Sequence, residues 1–247
     1  MDKELILLLV KEKKYDAAIE RYLQNEQFAQ AEEFCASHSQ QDGLLTKLLE
    51  KYFQKYNEAI QLCPRTAAFY GNRSACHMML SQFTQALADA KKAVQLDIHF
   101  VKGYIRVAKC CISLGNVMSA EQALERVVEL DKASGPGLVQ AEQQALAQLK
   151  KFQADTEQAY QAKDYEKALL CIDRSLSVAF ASRALKVSRA EVLAYLGRYG
   201  EAQEIANDLL RMDNMNADAI YVRGLCLYYE DSVDKVGGVL FKHLYGS

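Results

Sequence analysis

The chain has 247 residues, room for one large domain or two small ones, and contains 12 Gly, 2 Pro and no Trp. A sheet protein of this size needs far more turn formers, because each hairpin asks for Gly, Asn-Gly or Pro at set places. Half the residues are apolar and a quarter charged, which excludes a disordered or collagen-like chain, and 30 basic residues against 32 acidic ones leave no global basic field to attract nucleic acid or an anionic membrane. What remains is an all-α protein of helices joined by short turns.

Taken in order, residues 1–50 read as short amphipathic helices, at 5–10, 17–23, 29–35 and from Leu44 onward, with Asp16 and Asp42 as N-caps. The apolar run from Leu5 to Val10 is six residues long, far short of the ~20 needed to cross a bilayer, and no small-residue cleavage site follows it. Direct membrane insertion is not expected, and the chain reads as cytoplasmic. A helix at about 52–64 comes next.

From there the chain repeats itself at a shift of 34 residues. Tyr70, Ala86, Ala93, Leu96 and Asp97 fall on Tyr104, Ala120, Val127, Leu130 and Asp131. Further along, Tyr165, Ala168 and Val178 fall on Tyr199, Ala202 and Met212. Two helices of roughly 13 residues plus two turns fill such a period. Full repeats can be drawn at 67–100, 101–134, 149–182 and 183–216, and a further first helix at 217–230.

The residue types make packing sense. Ala86, Ala120, Ala168 and Ala202 belong where two helices cross closest, since a larger side chain would hold the backbones apart. Gly115 and Gly197 end first helices, where a left-handed residue reverses the chain. Asp97 and Asp131 close second helices. Gly135-Pro136-Gly137 breaks the phase, and residues 138–162 read as one long helix leading into the second block. After the last first-helix the alanine position is Val236, followed by Gly237-Gly238, which cost about 2 kcal/mol of helix stability relative to alanines. Three segments result: a non-repeat helical segment at 1–50, a first repeat block at 51–134, and a second at 135–247 with its long lead-in helix and a truncated last repeat.

Catalytic material is thin. The seven cysteines (35, 63, 76, 110, 111, 171 and 226) include no Cys-x-x-Cys pair and read as reduced thiols, five of them inside apolar helical patterns. Cys35 and His38 have the spacing of half a zinc site, but no second pair follows. Gly-rich phosphate loops and Gly-x-Ser-x-Gly elbows are absent from the sequence. The Asn72-Arg73-Ser74 sequon falls in a predicted helix. No enzyme, metal or cofactor is expected.

The 34-residue pattern, with a bulky residue early in the first helix, Gly at the turn and Ala opening the second helix, resembles the tetratricopeptide repeat (TPR). More closely, Tyr70-Gly-Asn-Arg-Ser, Ser113-Leu-Gly-Asn, Gly197-Arg-Tyr-Gly-Glu-Ala-Gln, Leu210-Arg-Met-Asp and the run Asn216-Ala-Asp-Ala-Ile-Tyr-Val-Arg-Gly-Leu-Cys-Leu-Tyr-Tyr-Glu-Asp resemble the amino-terminal repeats of a J-domain co-chaperone family over residues 52–235. The J domain itself is not expected, because the sequence contains no His-Pro-Asp. At 33–48, where that family places a first helix bearing a Lys and a Gly-Asn pair, the sequence differs, and that helix reads as missing. The segment from Tyr15 to Leu49 is weakly similar to the helical solenoids of endosomal and vacuolar membrane-tethering proteins, which offers an alternative role as a tethering scaffold.

The co-chaperone resemblance implies a non-catalytic interaction module. Such modules hold the acidic carboxyl tails of heat-shock chaperones in a groove lined by their first helices. Lys102 and Arg106, four apart, share one helix face, and Asn72 stands one period before Arg106. The resemblance assigns these three to the peptide-binding clamp. Two further groups of the family clamp come from the missing helix, and at about 1.5–3 kcal/mol per charge-assisted hydrogen bond their loss would lower tail affinity by orders of magnitude. Lys47 or Lys51 are candidates to replace them. Lys186, Arg189 and Arg223 in the second block lack a matching Asn, so no clamp is expected there.

Overall fold

The computed structural model describes residues 42–130 and 136–229, and over these the chain is all-α. Ten α-helices follow one another: α1 Asp42–Leu62, α2 Ala67–Met79, α3 Phe83–Leu96, α4 Val101–Leu114, α5 Val117–Leu130, α6 Gln140–Gln161, α7 Tyr165–Val178, α8 Arg183–Tyr195, α9 Tyr199–Met212 and α10 Ala217–Tyr229. The chain divides into two compact units. The first holds described residues 42–111, 119–130 and 136–139, the second 112–118 and 140–229.

Helix pairing follows the 34-residue period. Within the first unit α2 packs on α1 and on α3; within the second α6 packs on α7, α7 on α8, α8 on α9, and α10 on both α8 and α9. All four repeat alanines, Ala86, Ala120, Ala168 and Ala202, are completely buried, as close crossings demand. In the second unit the space around the alanines is filled by Ile172, Leu193 and Val222. Ser74 carries the same logic in the first unit: its short side chain is buried and donates from Oγ to the Ala86 carbonyl at 2.7 Å, so α2 meets α3 through a hydrogen bond as well as apolar contact.

The turns that end first helices share one backbone conformation. Gly115 and Gly197 have φ +80° and +74°, and the positions one period earlier, Ser81 and Lys163, have φ +57° and +56°. The reversal therefore demands a left-handed residue in four repeats, and in two of them a side chain with a Cβ accepts it at some cost. Local caps start helices of both kinds: Asp164 Oδ1 accepts from the Lys167 amide at 3.1 Å at the start of the second helix α7, and Asn216 Oδ1 from the Ala219 amide at 2.9 Å at the start of the first helix α10.

Two readings of the sequence need correcting. Residues from Leu44 and those from 52 do not form separate helices: they are one uninterrupted helix, α1. The stretch from Gly43 to Pro64 contains no glycine or proline between them, so nothing breaks the ladder where the family pattern places a turn. Residues 42–50 consequently extend the helix that precedes α2 and do not fold back on it. The long helix into the second block starts at Gln140, because Pro136–Leu138 form a 3-10 turn. The helices read at 5–10, 17–23 and 29–35, Cys35, His38, Asp131 and the Gly237-Gly238 pair lie outside the described residues.

Cys76, Cys110, Cys111, Cys171 and Cys226 are buried free thiols and Cys63 is exposed. Burial pushes the thiols of Cys76 and Cys110 up from 9.0 to about 12, which keeps them protonated and unreactive. Iodoacetamide at pH 8 is expected to alkylate Cys63 and to leave Cys76 and Cys110 unmodified in the folded protein, as peptide mass mapping would show. Because these pKa values are higher folded than unfolded, the stability they contribute is complete below pH 9 and is lost as pH rises towards 12. Alkaline melts therefore shift downward over that window.

Candidate peptide-binding faces

The three residues assigned to the clamp all belong to the first unit. Asn72 lies in the middle of α2 and is buried, 7 % exposed. Lys102 is exposed in the first turn of α4, and Arg106, one turn later, is half-buried. The link between the two helices is steric. A Cβ built on Gly71 would come within 3.0 Å of Arg106 Nη1 and 2.6 Å of Phe100 Cε1, so the guanidinium rests on the bare backbone of α2 directly beside Asn72. The same Phe100 ring lies 2.7 Å from a Cβ built on Gly103. Phe100 is thus a wedge between two glycines, and it sets how closely α4 approaches α2.

Next to this pair stands a polar network that fastens α2 to its neighbours. Arg73 Nε and Nη2 donate to both oxygens of Asp89 on α3, at 2.7 and 2.6 Å. Arg73 Nη1 donates to Asn57 Oδ1 on α1 at 2.8 Å. The guanidinium also lies over the rings of Phe53 and Tyr70. Asp89 is only 7 % exposed, and its bidentate bond raises the Arg73 pKa above the usual arginine value. His77 edges onto Phe53 with ring centroids 4.9 Å apart and hydrogen-bonds to Gln82 Oε1 through Nδ1 at 2.7 Å. The helix that carries Asn72 is thereby fastened to both α1 and α3. The sequence reading noted Arg73 only as part of a sequon and missed this role, because its partners stand 16 positions away on either side.

In the second unit α8 presents two chemically opposite sides. Lys186 and Arg189 line a groove of about 530 Å³ together with Leu176 of α7 and Ile205, Leu209 and Met212 of α9. Arg189 Nε is further engaged by Asp173 Oδ1 at 2.7 Å. Leu185, Ser188 and Glu191 instead line a cavity of about 260 Å³ against Gln153, Glu157 and Tyr160 of α6. Lys186 and Arg189 therefore line a different groove from the cavity that α8 shares with α6.

That shared side is aromatic and acidic. Tyr160 and Tyr195 donate their hydroxyls to the two oxygens of Glu191, at 3.3 and 3.2 Å. Burial pushes both hydroxyls well above the ordinary tyrosine range, followed by the Glu191 charge for Tyr160 and by the hydrogen bond to Tyr221 for Tyr195, so they remain donors throughout the physiological range. Tyr165 stacks on Tyr195 with centroids 4.9 Å apart, and Tyr195 meets Tyr229 edge-on at 6.1 Å. Sequence reading did not single out this tyrosine series, although Tyr195 and Tyr229 are one period apart.

Among the described residues no helix is long and apolar enough to cross a membrane, and no three His, Cys, Asp or Glu gather in a way that suits a metal ion.

Comparison with known proteins bears on the whole described chain. No family model matches it. Over 183 residues the chain is 45% identical to human DnaJ homolog subfamily C member 7, covering 74% of this chain and 37% of that protein. It is 32% identical over 186 residues to the Dictyostelium discoideum homolog, covering 72% and 33%. The chain thus spans about a third of the length of the curated relatives it matches. The crystal structure of the P58(IPK) TPR domain superposes with a TM-score of 0.68 at 16% identity, over 89% of this chain and 59% of that one. Pairing, period, turn conformation and superposition agree on the architecture.

Proposed function

We propose that this chain, an all-α solenoid of tetratricopeptide helix-turn-helix repeats whose sequence is similar to DnaJ homolog subfamily C member 7, is a non-catalytic scaffold of co-chaperone type. In this reading its first unit binds acidic carboxyl-terminal tails, of heat-shock chaperones or of client proteins, through Asn72, Lys102 and Arg106. The observation that carries the reading is the seating of Arg106 against Gly71, beside Asn72 and one turn from Lys102. Two cations and an amide side by side suit a terminal carboxylate and the acidic side chain next to it. The six described free thiols fit a reducing cytoplasm.

The affinity is expected to be lower than that of a five-group clamp. Residues 42–50 continue α1 and do not fold back on it as a first helix, so the described residues offer a tail fewer charge-assisted bonds. Calorimetry with the peptide Gly-Gly-Glu-Glu-Leu-Asp tests the assignment. Binding is expected to depend on the free carboxylate, to vanish for the amidated peptide, and to weaken by about tenfold to a hundredfold in Lys102→Ala. Equal binding by native and Lys102→Ala proteins removes the clamp from this face.

A further inference from the structure

The cavity between α6 and α8 carries chemistry opposite to that of the first unit. Its walls bring Glu157 and Glu191 to one opening, with Gln153 and Ser188 beside them, Tyr160 at one end and Ile172 of α7 as an apolar floor. Several acidic side chains of the described residues are paired with arginines: Asp89 with Arg73, Asp173 with Arg189, Glu201 with Arg198 and Asp208 with Arg211. Among the described residues, Glu157 and Glu191 have no ion-pair partner. Glu157 accepts only from Gln161 Nε2, at 3.0 Å, and Glu191 only from the two tyrosine hydroxyls.

An ionised carboxylate offers about four acceptor positions. The tyrosine hydroxyls occupy one on each Glu191 oxygen, which fixes the group without neutralising it. The rings continue the surface: Tyr195 packs onto Tyr229, Tyr229 onto Tyr228 at 5.4 Å, and Tyr195 is hydrogen-bonded to Tyr221. On α10, Tyr221 is 50% exposed, Tyr228 61% and Tyr229 44%. Asp218 adds a further acid one turn before Tyr221. The cation on the same side of α6 is Lys150, two turns before Glu157 and so about 10 Å away along the axis. Lys186 and Arg189 lie on the other side of α8.

We propose that this face of the second unit binds a basic peptide segment, seating an arginine or lysine side chain in the cavity between α6 and α8. The cationic head is taken by the Glu191 and Glu157 carboxylates, and the aliphatic stem and neighbouring residues lie along the tyrosines. Charge complementarity selects this occupant: an acidic tail would place like charges against two unneutralised carboxylates, whereas a guanidinium or ammonium supplies the donors that they lack and is attracted to aromatic faces. The protein then has two faces of opposite preference, one in each unit.

Fluorescence anisotropy with a fluorescein-labelled, carboxyl-amidated probe, Gly-Arg-Leu-Arg-Leu-Arg-Gly, tests this on the full chain, with Gly-Glu-Leu-Glu-Leu-Glu-Gly as control. The arginine probe is expected to bind saturably and the glutamate probe not to bind. Glu191→Gln, whose amide oxygen still accepts from one tyrosine hydroxyl while its NH2 donates to the other, and Glu157→Lys, at an exposed position, are each expected to weaken the arginine probe by roughly tenfold or more. Lys102→Ala leaves this binding unchanged, so failure here and failure of the tail-binding reading are told apart. The proposal is overturned if the native chain binds both probes alike or neither, or if Glu157→Lys, with an unchanged circular dichroism spectrum, binds the arginine probe as tightly as the native chain.

Discussion

Arg73→Met is expected to destabilise the first unit by about 3 kcal/mol, the lower end of the range for breaking a buried ion pair by removing one partner. Methionine keeps an unbranched apolar stem, so the loss comes from the guanidinium: its charge, its hydrogen bonds and its contacts over Phe53 and Tyr70. What remains is Asp89, 7 % exposed, stripped of two short bonds, and Asn57, stripped of a third. His77 Nε2 stands 3.7 Å from Asp89 Oδ2 and is the remaining basic neighbour, while Arg73 itself keeps some contact with water, and both considerations favour the lower figure. A paired Arg73→Met, Asp89→Leu variant removes the stranded charge and should recover a large part of the loss, since a buried ion pair can often be replaced by apolar groups at little cost. Urea titration followed by circular dichroism measures both variants. Equal losses for the single and double variants would show that packing of the stem, and not the stranded carboxylate, dominates.

Gly71→Ala is the second large effect, and its expected sign runs against helix propensity. Alanine in a helix interior is favoured over glycine by about 1 kcal/mol. Here the new methyl would sit 2.6 Å from Phe100 Cε1 and 3.0 Å from Arg106 Nη1. The same edge of the ring, through Cδ1 and Cε1, also lies over Gly103, so a ring shift that admits the methyl disturbs that packing as well. Overpacking of this kind costs about 1–3 kcal/mol, so a net loss of about 1 kcal/mol is expected together with a displaced guanidinium. Calorimetry with the acidic peptide should then show weakening of about tenfold, in a protein whose Lys102 and Asn72 are untouched. Gly200→Ala is the control: its added methyl meets nothing within 4 Å, and the same exchange there should leave stability unchanged or raise it slightly.

How much of this could be read from the residues alone depends on the range of the interaction. The buried alanines and the left-handed glycines were legible because a 34-residue shift compares equivalent positions, and only small residues tolerate a close crossing. The same comparison applied to Tyr195 and Tyr229 would have exposed the aromatic face. The left-handed Ser81 and Lys163 were not legible as such, since a side chain there hides the backbone requirement that glycine advertises. The continuity of α1 was written in the sequence as an absence of breakers between Gly43 and Pro64, and was obscured by imposing the register of the related repeats. The bond from Arg73 to Asp89 was out of reach, because 16 residues of separation mean contact only after α2 and α3 have paired. Likewise, that Lys186 and Glu191 face opposite sides of α8 follows from their five-residue spacing, but which neighbour each side meets does not.

The 13-residue helix α8 is in effect a party wall. The linings on its two sides share one backbone and no side chain, so substitutions at 185, 188 and 191 alter the acidic cavity, and those at 186 and 189 the basic groove, each without touching the lining of the other.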